Sequence, residues 1–257
     1  MNDHLRMMNL GLCLAITAGC AQEQVNTFIF TADLPPDFAY VAVVYYSPAR
    51  GESCTVEKRD NKAPVFNREW RKEYTPDSQI TIRTTRKGCP LVINRIKLTI
   101  NSAYGKGWSD MSHDTANVVI RDELEDTYKG TFNPAGESLF YGQCQWFFRT
   151  SGKPRLLRKI LDCKKTNPLG EPGHGHPFAA YTLEQLPGKT VKMKISLAPE
   201  EEPYFTGKWV KFKSGYKRCM GQGFEDQHAF CHGNFKDFST FQLPDGRICS
   251  VYPGCIE

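Results

Sequence analysis

The chain has 257 residues, 40% hydrophobic and 24% charged, which is ordinary globular material and excludes a disordered or fibrous chain. Its formal charge is +5, and beyond residue 20 no apolar run approaches the length of a membrane-spanning helix. Ten cysteines exceed what a reducing compartment normally calls for, so export and disulfide pairing are the first expectation.

The N-terminus carries the export signal. His4 and Arg6 precede an apolar stretch from Met7 to Ala18, diluted only by Asn9 and Thr17, and small residues follow at Ala18 and Gly19. A dozen residues at ~1.5 Å each make ~18 Å of helix, well short of the ~30 Å hydrocarbon core. Residues 1–19 therefore read as a removable signal peptide. Thr17-Ala18-Gly19-Cys20 resembles the lipobox of bacterial lipoprotein precursors, with Thr17 where that motif usually has Leu, Val or Ile. The resemblance implies that the Cys20 thiol receives a diacylglyceryl group and becomes the first mature residue. With Ala21 and not Asp beside it, the resemblance to Gram-negative lipoproteins implies an outer-membrane lipid anchor facing the periplasm. Ordinary secretion, with cleavage at a small-x-small site around Cys20, is the alternative.

Removal of residues 1–19 leaves 257 − 19 = 238 residues, room for one large or two small domains. Eight cysteines remain after Cys13 leaves with the signal and Cys20 takes lipid: Cys54, Cys89, Cys144, Cys163, Cys219, Cys231, Cys249 and Cys255. They read as four disulfides, in two groups of four that mirror a split into two domains.

The first domain, residues 26–166, is dominated by strand signals. "YVAVVYY", residues 40–46, follows the turn-forming Pro35-Pro36-Asp37 and reads as a well-buried strand. "QITIRTT" and "NVVI" supply two more. In "INRIKLTIN", Ile96, Leu98 and Ile100 alternate with Arg95, Lys97 and Thr99, which predicts one buried and one wet face. Short strands between Gly, Pro, Asn and Asp clusters predict a mainly β fold, with an antiparallel β-sandwich-like first domain. Cys54 and Cys89 each follow a strand, and a bridge closing about 35 residues would contribute ~3.8 kcal/mol by loop entropy. "QCQWFFR" places Cys144, Trp146 and Phe148 on one face of a strand. The following "KPRLLRKILDCKK" has both helical i, i+4 spacing and a hairpin signal at Ser151-Gly152; either permits a Cys144–Cys163 bridge.

"NPLGEPGHGHP", residues 167–177, holds three prolines and three glycines and reads as a linker. A smaller disulfide-rich β domain follows over residues 178–257. "VKMKISL" and "KWVKFK", separated by the acidic "PEEEP", predict a long hairpin with a negative tip and basic outer faces. The tail offers a Pro-Asp-Gly turn, a Pro-Gly turn, and Cys249 close enough to Cys255 to staple a loop.

Catalytic signatures are sparse. The chain has no G-x-S-x-G elbow, H-E-x-x-H, S-x-x-K or phosphate-binding loop, so no catalytic residue, cofactor or metal is assigned and an enzyme is not expected. His113 is the one first-region histidine beside a serine. His174 with His176, and His228 with Cys231 and His232, have superficial metal spacing, but Cys231 is expected in a disulfide. The most site-like stretch is "KWVKFKSGYKRC". Lys208, Trp209, Lys211, Lys213 and Tyr216 there are candidate partner-binding residues, because aromatic anchors beside cations suit protein interfaces. The competing reading turns the aromatics inward and the lysines to water. The basic run Lys153, Arg155, Arg158, Lys159, Lys164 and Lys165 carries the same two readings, with a solvated face favoured. A periplasmic protein meets no nucleic acid routinely, so the positive charge points to anionic headgroups or an acidic protein surface.

"YVAVVYYSPARGESC", "GCPLVINRIKLTI", "QCQWFFR" and "KILDCKK" resemble immunity lipoproteins encoded beside type VI secretion phospholipase effectors, across residues 38–165. That resemblance implies a protein that binds and neutralises a secreted toxin. A structural or assembly lipoprotein of the outer membrane is the alternative.

Overall fold

The computed structural model describes residues 25–55, 74–173, 177–233 and 235–256. The expected signal peptide, Cys20, His174 and His176 lie outside the described residues. The strands of the first region are β1 (Thr27–Asp33), β2 (Phe38–Pro48), β3 (Ser78–Thr81), β4 (Arg83–Arg86), β5 (Cys89–Ala103), β6 (Met111–Arg121), β7 (Glu137–Ser151) and β8 (Leu156–Thr166). They are followed by β9 (Ala179–Thr182), β10 (Thr190–Leu197), β11 (Glu202–Pro203), β12 (Trp209–Phe212), β13 (Gly215–Cys219), β14 (Phe238–Ser239), β15 (Phe241–Gln242), β16 (Ile248–Cys249) and β17 (Tyr252–Pro253). Two single turns of 3₁₀ helix, Asp126–Tyr128 and Leu183–Gln185, complete the described elements. The fold is mainly β.

Two sheets enclose the larger core. One runs β16-β15-β8-β7-β10-β1-β3, with β11 also on β7; the other runs β2-β5-β6-β9, with β4 also on β5. Phe28 and Phe30 of β1, Phe140 and Trp146 of β7, and Val191, Met193 and Ile195 of β10 meet Ile96, Leu98 and Ile100 of β5 and Val118 and Ile120 of β6. The alternation in β5 is realised as expected: those three residues are fully buried, while Arg95 and Lys97 face solvent. Where β6 crosses β8, its side chains cap that strand's free edge. Ser112 Oγ accepts the Leu161 N–H at 3.1 Å and Asp114 Oδ2 accepts the Cys163 N–H at 2.6 Å.

Several expectations change in the fold. The 40–46 run lies in an edge strand; beyond Tyr40 its residues are half-buried or exposed, because β2 has a neighbour on one side only. Residues 156–166 are strand, not helix, and the β7–β8 hairpin sets Cys144 directly opposite Cys163. The sheets are mixed: β1 with β10, β10 with β7, β11 with β7, β6 with β9, and β15 with β8 all pair in parallel. The long hairpin expected from "VKMKISL" and "KWVKFK" does not form. β10 inserts between β1 and β7, and β12 pairs with β13 instead. The chain after the 167–177 segment thus returns to the first region before forming anything of its own: β9 joins β6, β10 joins β7, and Phe178 enters the larger core.

A second, smaller cluster sits at the far end of the β7–β8 hairpin. Phe148 and Leu157 of that hairpin pack with Trp209, Phe241, Leu243 and Tyr252, and the Phe148 ring lies 5.0 Å from Trp209 and 4.4 Å from Tyr252. Four disulfides pair eight cysteines in sequence order: Cys54–Cys89, Cys144–Cys163, Cys219–Cys231 and Cys249–Cys255. No bridge crosses between the two groups of four. Among the described residues no helix is long and apolar enough to cross a membrane.

Candidate functional site

The stretch singled out in the sequence becomes the β12–β13 hairpin, turning at Lys213-Ser214. Its register pairs Trp209 with Arg218, Val210 with Lys217 and Lys211 with Tyr216. Gly215 has φ +130°, and an added Cβ would collide with the Tyr252 carbonyl, so glycine is what lets β17 close on β13. Strand alternation sends Trp209, Lys211, Tyr216 and Arg218 to one face, and Lys208, Val210, Phe212 and Lys217 to the other.

The candidate residues therefore separate. Trp209 is a core residue, buried against Phe148 and Phe241. Lys211 is exposed and pairs with Glu200 at 3.2 Å, with its ammonium 5.6 Å from the Tyr216 ring. Together with the exposed Lys213 these groups line a cleft of about 440 Å³, closed on its other sides by Glu200, Glu201 and Tyr252. Lys208 lies on the opposite face, away from this cleft, between the rings of Phe205 and Phe230. The structure brings Lys211, Lys213 and Tyr216 together and leaves Lys208 and Trp209 out.

Glu201 and Tyr252, which line the cleft, belong to a polar network with Lys159 that sequence did not reveal. Lys159 Nζ lies 2.6 Å from Glu201 Oε1, and the Tyr252 hydroxyl donates to Glu201 Oε2. Lys159 also sits 5.6 Å over the Tyr252 ring. Burial, reinforced by the Glu201 charge, pushes the Tyr252 hydroxyl far above its usual range, so it stays protonated.

Two buried arginines fix the loop between Cys219 and Cys231. Arg155 donates to the carbonyls of Cys219, Met220, Gly223, Phe224 and Asp226 at 2.9–3.2 Å. Arg218 donates to those of Lys208, Ala229 and His228 at 2.7–3.1 Å, and burial pushes its guanidinium down to about 10. The solvated basic run expected at 153–165 is thus broken at Arg155, which is buried, and at Lys159, which is mostly buried beneath Glu201. A guanidinium matched to clustered carbonyls leaves no pattern in the local sequence.

Of the histidines, His113 is exposed on β6. His228 and His232 flank the Phe230 ring, while Cys231 is bonded to Cys219. Among the described residues no group of three or more His, Cys, Asp or Glu is placed to hold a metal ion. No protein-family model matches this chain, and comparison with curated proteins and with solved structures finds no match either.

Proposed function

We propose that this chain is a lipoprotein of the outer membrane, facing the periplasm through acylated Cys20, that binds and neutralises a secreted antibacterial toxin, a phospholipase effector of type VI secretion, without turnover of its own. The observation that carries the reading is the β12–β13 hairpin and its cleft. Lys211 and Lys213 project beside the Tyr216 ring from a strand pair pinned by the Cys219–Cys231 bridge and by the buried guanidinium of Arg218. A rigid, aromatic-lined edge loses little conformational entropy on docking, and the exposed Lys213 beside the Lys211–Glu200 pair presents a cation to an acidic partner. The cleft lining suits binding better than chemistry, because a tyrosine hydroxyl held protonated by a carboxylate already paired with lysine is a poor base or nucleophile. An enzyme that attacks lipid works at the bilayer, and tethering its inhibitor there raises local concentration without adding a contact.

Co-expression in the periplasm of the toxin encoded beside this chain tests the proposal. Cells should survive with the wild-type chain and die without it, and Lys211→Glu with Lys213→Glu should slow association about tenfold at low salt. Death in both cases removes the neutralising function and leaves the assembly lipoprotein as the better account.

A further inference from the structure

The run "FAYVAVVYYS", residues 38–47, carries no charge and no proline, and its β-branched and aromatic residues are those of a strand flanked on both sides. The fold gives it one neighbour: β5 pairs with β2, and among the described residues no strand pairs with the other edge. The remaining edges are managed differently. β3, β9 and β12 are four residues long, and β14 and β16 are two. β8 is eleven residues long, and along its outer edge the Leu161 and Cys163 N–H groups are taken by Ser112 and Asp114. Short strands and capped backbone groups keep an edge from templating another strand. β2, also eleven residues long, has neither protection. Its one irregularity, at Tyr45/Tyr46, lies toward the end and leaves Phe38–Tyr45 in unbroken register. Behind the edge, the Tyr40 and Tyr46 hydroxyls donate to the carbonyls of Pro76 and Thr81 at 2.6 and 2.7 Å, so these side chains are engaged within the chain. What stays open is the backbone ladder, which only another strand satisfies.

We propose that two copies of this chain join through β2, antiparallel about a two-fold axis, so that two β2-β5-β6-β9 sheets become one. The residues favour a second copy as the occupant. A two-fold contact sets a strand against itself, which is tolerated only where no charge would face its own kind, and Phe38–Ser47 meets that condition throughout. An acidic or basic strand would find no charge on β2 to pair with. Opposed residues must share a face of the sheet. With Ala42 on the axis, Val41 faces Val43 of the second copy, Tyr40 faces Val44 and Ala39 faces Tyr45, all within the unbroken stretch. The nearest cations on this surface, Arg95 and Lys97, are one strand back on β5, opposite Tyr45 and Val43. Three strand spacings of ~4.8 Å keep the two sets ~14 Å apart, beyond the ~8 Å Debye length at physiological ionic strength. β2 lines no part of the Lys211–Lys213 cleft, so this interface and toxin binding stand or fall separately.

The test uses the full chain in a non-ionic detergent, which masks any acyl group. Sedimentation equilibrium at micromolar concentration should give twice the mass of one chain. Val41→Lys with Val43→Lys sets lysine opposite lysine across the axis and should weaken self-association about a hundredfold, and Val41→Glu with Val43→Glu should do the same. Mixed in equal amounts, the lysine and glutamate variants should form a dimer containing one of each, which misfolded chains would not. Val41→Thr with Val43→Thr keeps strand propensity without charge and should remain dimeric. In the parent, amide exchange over residues 39–45 should slow as concentration rises, a readout that needs no variant. A parent that sediments as a single chain overturns the proposal and assigns the edge to a strand of another protein. A lysine variant that dimerises as well as the parent also overturns it, by placing the contact elsewhere. Exchange that ignores concentration, or charged variants that fold yet fail to pair with each other, overturns it equally.

Discussion

Arg155 lies in the turn between β7 and β8 with φ 49°, yet its side chain is buried under the loop that follows Cys219. No local cue distinguishes it from Lys153 or Arg158, which are its neighbours in the same basic run: Lys153 is exposed and paired with Glu225, and Arg158 pairs with Asp110. What separates them is a set of carbonyls supplied 64–71 residues later, which a linear reading cannot register. Arg155→Met should destabilise the protein by about 3 kcal/mol in urea unfolding, since it orphans buried acceptors, and Arg155→Lys should recover little because one ammonium cannot span them. Asp226 locks the same loop from within by accepting N–H groups of Ala229, Gln222 and His228, and these hold its carboxyl below the usual range. A depressed folded-state value contributes stability above the unfolded value of about 3.9 that is lost as pH falls through the folded one. Amide exchange at Gln222, His228 and Ala229 should therefore accelerate below about pH 4, and Asp226→Asn should make that exchange fast already at neutral pH and largely insensitive to acid. At this scale the Cys54–Cys89, Cys144–Cys163 and Cys249–Cys255 bridges were legible from strand ends and loop spacing, whereas the Cys219–Cys231 pairing and the buried arginines were not.

β10 shows how far alternation carries at the scale of an element. Val191, Met193 and Ile195 are buried as the period of two requires, but the pattern fixes a face and not a neighbour. Both β10 edges are taken by strands from the first region, so the antiparallel partner expected in "KWVKFK" had no edge to join. The acidic stretch "PEEEP" is consequently not a hairpin tip; it carries the chain to β11 alongside Phe147 and Phe148 and delivers Glu201 to Lys159 and Tyr252. Half-buried pairs of this kind cost most when one member is removed. Glu201→Ala should lower stability by about 2 kcal/mol, and Tyr252→Phe by about 1 kcal/mol, with urea m-values unchanged. A double-mutant cycle between Lys159→Met and Glu201→Ala should show a coupling of at least about 1 kcal/mol; additive losses would mean the two side chains meet without stabilising each other. The face of β12 and the cleft contribution of Lys211 and Tyr216 follow from the same alternation, whereas Lys159 in β8, Glu201 just before β11 and Tyr252 in β17 come from three separate stretches of chain and were hidden.

The molecule as a whole is organised along β7. Ile29 is in line with Thr190 and Glu137 at one end, and Phe148 receives Trp209 and Tyr252 at the other, so 148 − 137 = 11 residues separate the ends. At ~3.3 Å per residue that is ~36 Å. The same axis decides how the chain divides. Cysteine grouping and the Pro/Gly segment suggest a cut near residue 167, but packing suggests another. A chain ending at Thr166 lacks β9 and β10, so β1 loses its link to β7, and Phe28, Phe30 and Phe140 lose Val191, Met193 and Ile195 from their shared core. It should give no cooperative thermal transition. A chain ending at Leu197 retains all strands of the larger core and exposes only Phe148 and Leu157 of the hairpin's far end, so it should unfold cooperatively at a lower Tm. The whole chain should unfold in one transition, because the smaller cluster has its central ring, Phe148, on a strand of the larger. Circular dichroism melts of the three chains under oxidising conditions decide the matter. Cooperative unfolding of the chain ending at Thr166 would make the cysteine groups true folding units, and β10 an addition to a sheet already stable without it.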